Sequence, residues 1–331
     1  MRYYCQMLAA FLGAVLVANG LCYFYYSPSV QTDNPEGYTE CKNEPSQHNP
    51  HGTEGYGIAV IDDNGFSNAD LFSYQEAEIL CVGSSQTEAQ HVNWDENYVY
   101  LLNEQCKGRK VYNLGVSAQA FANSLYRIPA LKTNFPACQA IVFEINNMPS
   151  EKDLLQMKGY MEKNEIPVRD LSWKRGNLAL QILGKIPLCR LLWSQYDHNR
   201  KGKIAKGKEE MVNIGVSYYD LANEVLKLAK RQAGDTPIIL FNLSKVKIER
   251  DGNVVIQPDY GEKAALRAAC QVQGITFVDM GQPFLEHYSK ERVLPYGFAN
   301  SKVAVGHLNA HGHRIVAETL YDVFKKDGLC Q

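Results

Sequence analysis

The first apolar run is also the longest. From Met7 to Tyr26 the chain reads MLAAFLGAVLVANGLCYFYY without a charge, about the 20 residues that a helix needs to cross a bilayer. Arg2 precedes it, and Tyr3, Tyr4, Tyr23, Tyr25 and Tyr26 stand at its ends, where amphipathic rings favour the lipid–water boundary. This pattern predicts a signal anchor over residues 1–27, and VANG is a poor cleavage site. With the positive charge on the short N-terminal side, the rest of the chain is expected outside the cytoplasm. Residues 28–55 are rich in Pro, Gly, Asn, Glu and Ser and read as a flexible extracytoplasmic tether. A folded domain is expected over 56–331. GIAVIDDNGFSN, turning at Asp63–Asn64–Gly65, predicts a short hairpin that leads into it.

Beyond Tyr74 short apolar runs alternate with segments of helical spacing. AEILCVG, GRKVYNLGVS, QAIVFEIN, TPIILFNL and GITFVDM predict five buried strands. HVNWDENYVYLLNEQC, ANSLYRIPALKTNF and the closing HRIVAETLYDVFKK predict amphipathic helices. Strands alternating with helices imply a three-layer α/β/α fold around a central, mainly parallel five-stranded sheet. A helical insertion is expected around 150–213. There LALQILGKIPLCRLLWSQ carries Leu178, Leu180, Ile182, Leu183, Leu188, Leu191, Leu192 and Trp193 at helical spacing. It reads as a helix packed on the core, as a lid, or as a surface that meets the membrane or a partner. DHNRKGKIAKGK, which follows, reads as a solvated basic turn or as a contact with anionic lipid or polymer.

Charge and cysteine content narrow the classes. The 331 residues hold 34 basic and 36 acidic side chains, net −2, so the footprint of a nucleic-acid binder is missing. Nine cysteines are present, two of them (Cys5 and Cys22) in the anchor. No CxxC pair signals a zinc or redox motif, and a disulfide at Cys41 or Cys330 is possible without its partner being legible.

Candidate chemistry sits at strand ends. CVGSSQTEAQ places Ser84 and Ser85 at the carboxyl end of the first strand, where parallel sheets bind ligands and a helix N-terminus offers free N–H groups. Alone, this turn reads first as a helix cap by Ser84 or Ser85. Near the other end stands VGHLNAHGHRIVAETL. With Gly83–Ser84–Ser85, VYNLGVSAQ (Val111 to Gln119), VFEINN (Val142 to Asn147) and His307–Leu308–Asn309–Ala310–His311–Gly312–His313, the chain from about Ile79 onward resembles the SGNH, or GDSL-like, hydrolase family.

The resemblance implies a flavodoxin-like fold and a serine hydrolase, with Ser85 as nucleophile and His307 as base. It implies an oxyanion hole from the N–H of Ser85, the N–H of Ala118 and an asparagine, Asn146 or Asn147, of which Asn147 is preferred. Three departures stand out. Ser84 replaces the family aspartate, Ala118 replaces a glycine, and Val305 and Ala304 occupy the usual place of the triad acid. His307 then works as a dyad oriented by a backbone carbonyl, or with an acid from elsewhere; Asp279 is the nearest by topology and reads equally as a loop cap. Three imidazoles within HLNAHGH also suggest zinc, but Asn309 and Gly312 are loop and capping residues rather than the helix that i, i+4 ligands need, so no metal and no cofactor is expected. His313 is expected to pack at the helix start and His91 to lie on the surface of the first helix.

Membrane-anchored members that resemble this chain act on O-acetyl groups of surface glycans. The expected substrate is accordingly a small-molecule or glycan ester, with the membrane as partner through the N-terminal helix. An O-acetyltransferase using the same dyad and a glycan-binding protein with a decayed site are the alternatives.

Overall fold

The computed structural model describes residues 2–69, 72–167, 183–204, 217–257 and 261–330, with side chains up to 196 in the third of these. Its centre is a parallel sheet of five strands: β1 (Ile79–Gly83), β2 (Val111–Gly115), β3 (Ala140–Ile145), β4 (Ile238–Asn242) and β5 (Thr276–Asp279). They lie in the order β5-β4-β3-β1-β2, so the chain first steps from β1 to β2 and then crosses back to β3. The crevice outside the carboxyl ends of β1 and β3 is therefore a topological switch point. Each predicted strand is found.

Helices follow in chain order: α1 (Arg2–Tyr25), α2 (Ser85–Glu88), α3 (Tyr98–Gln105), α4 (Ile128–Asn134), α5 (Glu151–Lys163), α6 (Pro187–Ile204), α7 (Tyr218–Ala233), α8 (Glu262–Gln273), α9 (Gly281–Glu291) and α10 (Ala310–Lys326). Strand side chains alternate between two cores, as the pleat requires. Leu80, Val82, Ile141 and Phe143 face α4, α5, α7 and α8, whereas Ile79, Cys81, Val142 and Phe241 face α3, α9 and α10. Starts and stops match local chemistry. Asn309 caps α10 by accepting from the Gly312 N–H at 3.0 Å, and Ser150 caps α5 with Asp153 closing the box. A disulfide between Cys106 and Cys330 ties the end of α3 to the C-terminus, pairing one of the two cysteines that the sequence had singled out.

Residues 28–55 are not a tether. Gln31–Asp33 pairs with Cys41–Asn43, and Ser46–His51 pairs with Gly57–Ile61. Tyr38 and Cys41 enter the core beside α4, and buried Arg127 donates to the carbonyls of Gly37 (2.6 Å) and Thr39 (3.1 Å). Composition misleads here because the segment is held by buried polar pairing as much as by apolar area. The folded unit therefore begins well before 56. The turn at Asp62–Gly65 exists, but the strand Gly57–Ile61 finds its partner upstream instead of closing a hairpin downstream. Of the expected insertion, Leu178, Leu180, Ile182 and the end of the basic turn lie outside the described residues. α1 is the one helix among the described residues long and apolar enough to cross a membrane, and of its side chains only Cys22 is buried.

Candidate active site

The Ser84–Ser85 turn is built by a buried carboxylate. At Glu144, where strand alternation would place an apolar residue, the side chain accepts from the Ser84 N–H (3.1 Å), the Ser84 hydroxyl (2.5 Å), the Thr87 N–H (2.9 Å) and the Thr87 hydroxyl (2.5 Å). These donors fix α2 on the carboxyl end of β1. Gly83 is needed for that approach, since a Cβ there would lie 2.1 Å from Thr87 Oγ1 and 2.4 Å from Glu144 Oε2. Burial pushes the Glu144 carboxyl above its ordinary value, and the four donors only partly offset this. Ser84 thus does cap α2, through its hydroxyl and Gln86 N at 3.4 Å, and the next residue is left with its own hydroxyl free to turn outward.

Ser85 Oγ lies 2.8 Å from His307 Nε2. The two side chains are 222 positions apart, joined because the loop before α10 closes over the carboxyl end of β1. Gln86 clips that loop on both sides of the imidazole, accepting from Leu308 N (2.8 Å) and donating to Gly306 O (3.3 Å). On its far side His307 meets Glu54: the carboxylate accepts from His307 N through Oε1 and from Nδ1 through Oε2, both at 2.8 Å. A proton on Nδ1 leaves the Nε2 lone pair for the serine hydroxyl, the tautomer that proton abstraction needs. Gly306 makes room for this contact, because a Cβ there would sit 1.8 Å from Glu54 Oε1. Burial alone would raise the Glu54 carboxyl, but the His307 hydrogen bonds and charge outweigh it and hold the group below the ordinary carboxylate range.

Glu54 corrects the sequence expectation at Asp279. Asp279 ends β5, with β4 and β3 between it and β1, roughly 14 Å away at the usual strand spacing. There it accepts from Ser244 Oγ (2.6 Å), Gly281 N (3.0 Å) and Arg267 (2.7 Å) and pairs with Lys263 (3.1 Å). It is a loop-capping carboxylate. No signal in the sequence marks Glu54, since it falls in the segment that composition assigns to a tether.

His91 is a second correction. Instead of lying on a helix surface it is buried and stacked on His307, with ring centroids 3.7 Å apart and planes 21° from parallel, and its Nδ1 meets Glu54 O at 3.0 Å. His51 packs edge-on against His91 at 4.1 Å. Desolvation, then the nearby His307 charge, keep both below the ordinary imidazole value, His51 at about 4. His313 is buried at the start of α10, and desolvation lowers it to about 3.

The loop after β2 is anchored from three sides. Val116 N donates to Gly83 O (3.0 Å), the Ser117 hydroxyl donates to buried Glu88, and Gln31 Nε2 donates to Ser117 O (3.0 Å). Ala118 then adopts φ +70°, the left-handed conformation for which glycine is the ordinary choice. The N–H groups of Ser85 and Ala118 find no acceptor among the described residues. Asn147 does not join them in the structure: it is exposed, and its Oδ1 accepts from Lys245 Nζ at 2.8 Å. Asn146, one residue nearer the strand end, is partly buried.

Ligand atoms of Glu54, His91 and His307 lie within 4.8 Å of one another. Stacked imidazoles direct their in-plane lone pairs side by side, not to a common point, and the Nδ1 atoms are already held by Glu54, so the trio is a poor metal cage. The three imidazoles of HLNAHGH also part company: His307 meets Ser85, His311 meets Arg314 (2.9 Å), and His313 Nδ1 accepts from Tyr98 N (3.4 Å).

No protein-family model matches the chain, and no curated protein matches it. Solved structures do. A lipolytic protein of the G-D-S-L family from Veillonella parvula is 15% identical, with 75% of this chain and 98% of that chain covered and a TM-score of 0.40. A variant of an acetyl-xylooligosaccharide esterase from Geobacillus is 14% identical over 75% of this chain and 95% of that one, with a TM-score of 0.36. The psychrotrophic esterase EstA from Pseudoalteromonas is 14% identical over 75% and 97%, with a TM-score of 0.38. At such identities and TM-scores the likeness carries no functional weight. The three-layer α/β/α class and the site geometry rest on this chain's own residues.

Proposed function

We propose that the protein is a serine esterase of the SGNH type, anchored by α1 and acting outside the cytoplasm on O-acyl groups of a carbohydrate. The continuous hydrogen-bond chain Ser85–His307–Glu54 carries this reading. Ser85 Oγ attacks the ester carbonyl while its proton passes to His307 Nε2, and Glu54 stabilises the imidazolium that forms. The oxyanion is received by the Ser85 and Ala118 N–H groups, with Asn146 in place of Asn147 as third donor; one such donor contributes on the order of 3 kcal/mol. His307 returns the proton to the departing sugar oxygen. Water then repeats the sequence on the acyl-enzyme and releases the carboxylic acid.

A cleft linked through Glu40 to the loop that carries Ala118 supports a carbohydrate as the alcohol half. It has a volume near 280 Å³, and over buried Tyr126 and Arg127 its lining offers Glu40, Asn123, Gln156 and Tyr160 as hydrogen-bonding and aromatic groups. Glu40 N donates to Gln119, the residue after Ala118, at 2.9 Å, which ties this cleft to the oxyanion loop. The test is to incubate the detergent-solubilised full chain with O-acetylated oligosaccharide and follow free acetate. Catalytic release of acetate is expected. Acetate moved to an added sugar acceptor without release would assign transfer instead, and neither product would overturn the reading.

A further inference from the structure

The end of α1 and the candidate active site are joined by a short ladder of rings. Tyr26, just past α1, packs on His51 at 5.1 Å, His51 on His91 at 4.1 Å and His91 on His307 at 3.7 Å. Even fully extended, these steps keep the His307 ring within about 13 Å of Tyr26, a span comparable with the headgroup layer of roughly 5–8 Å plus one side chain.

A second element meets α1 at the same level. Leu188 N, near the start of α6, donates to Asn19 Oδ1 at 3.2 Å, six residues or about 9 Å of helix rise before α1 ends. Arg190 donates to the carbonyls of Pro28 and Ser29, fixing α6 on the chain as it leaves α1. With that side occupied, α6 presents Leu192 (62% exposed), Trp193 (67%) and Tyr196 (59%) within an arc of about 100°. Trp193 and Tyr196 pack ring to ring at 5.9 Å on a helix that packs against α1, whose own end carries the exposed rings of Tyr23, Phe24 and Tyr25. Aromatic residues gathered at one end of a membrane-length helix fit the lipid–water boundary, where the apolar ring body is sheltered and the polar tip stays wet.

We propose that α6 is a second membrane contact: the Leu192–Trp193–Tyr196 face lies in the boundary layer beside α1 and holds the Ser85–His307 site at the bilayer surface. The ester taken by this site is then one carried on a molecule that is itself held at the membrane, a lipid-linked or membrane-emergent chain, in preference to one free in solution. The inference rests on reading α1 as a membrane span and Ser85 as the nucleophile. Insertion of α6 alone would bury about two to three apolar side chains, a contribution that only the α1 anchor makes sufficient.

The full chain with Trp193 as its single tryptophan (Trp94→Phe, Trp173→Phe), reconstituted in phosphatidylcholine vesicles, tests this. In vesicles of lipid brominated high on the acyl chain, Trp193 emission is expected to fall to about half or less of its value in unbrominated lipid, as for an indole seated in the boundary layer. Separately, Leu192→Ser/Trp193→Ser/Tyr196→Ser is expected to slow hydrolysis of a vesicle-borne acetyl ester about tenfold, with hydrolysis of a water-soluble acetyl ester unchanged and so certifying the fold. A chain that floats with vesicles yet keeps Trp193 unquenched overturns this proposal alone, as do equal losses on both esters. A chain that does not float overturns the anchor and the proposal together. No hydrolysis of either ester by the unsubstituted chain overturns the esterase reading and leaves the quenching result to judge the membrane contact.

Discussion

Glu54→Gln is expected to lower kcat by about 10⁴-fold with little change in KM, measured on a soluble acetyl ester. The carboxamide is nearly isosteric, so the fold should survive. Its carbonyl oxygen can still accept one N–H from His307, the backbone donor or the ring. Both contacts are kept only with the carbonyl on the backbone N–H, which cannot move its proton, and the NH₂ on the ring, which can move its own to Nε2. That nitrogen is the one 2.8 Å from Ser85 Oγ, so the base can no longer accept the nucleophile's proton. Asp279→Asn is the comparison: three strands away and bound to Lys263, Arg267 and Ser244, it should leave kcat within about twofold. The Glu54 carboxyl sits below its unfolded value, so its contribution to stability is complete above the ordinary carboxylate range and is lost only as pH falls through its lowered folded value. Across neutral pH, Glu54→Gln should therefore act on rate and not through unfolding.

Glu144→Ala is expected to destabilise the protein by about 3–5 kcal/mol in chemical denaturation. The two hydroxyls it serves can rotate to other partners. The N–H groups of Ser84 and Thr87 cannot, and in Ala they would be buried without an acceptor. Glu144→Gln, which keeps an acceptor oxygen, should cost less. The pH dependence separates the two effects. Because burial raises the Glu144 carboxyl, the folded state holds its proton more readily than the unfolded state. Stability therefore falls as pH rises from the ordinary carboxylate value through the raised one, and Glu144→Gln should flatten that part of the profile.

The sheet was legible because its strands are buried on both faces and read as unbroken apolar runs between turn residues. Ser85 and His307 were singled out through the resemblance to the SGNH family, whose motifs are short and local; the serine turn alone read as a helix cap, and the structure adds that the two side chains meet. Glu54 and His91 were not. Each acquires its role through partners more than two hundred residues away in sequence, and Glu54 lies where composition argues against any fold. Residues 28–55 hold their place through side chains such as Asn34, Thr39, Asn43 and Asn49, all buried, which periodicity analysis counts as polar and therefore exposed. Ala118 lies between these cases. The family that the chain resembles has a glycine there, and the φ of +70° found at Ala118 is the conformation for which glycine is the ordinary choice.

Whether the Ser85 hydroxyl is activated is asked most directly by covalent labelling of the full chain with a fluorophosphonate. One phosphonyl adduct, mapped by mass spectrometry to Ser85 and absent from Ser85→Ala and His307→Ala, is the result expected. A folded wild-type chain that takes no label, or takes it equally when Ser85 is alanine, would contradict it.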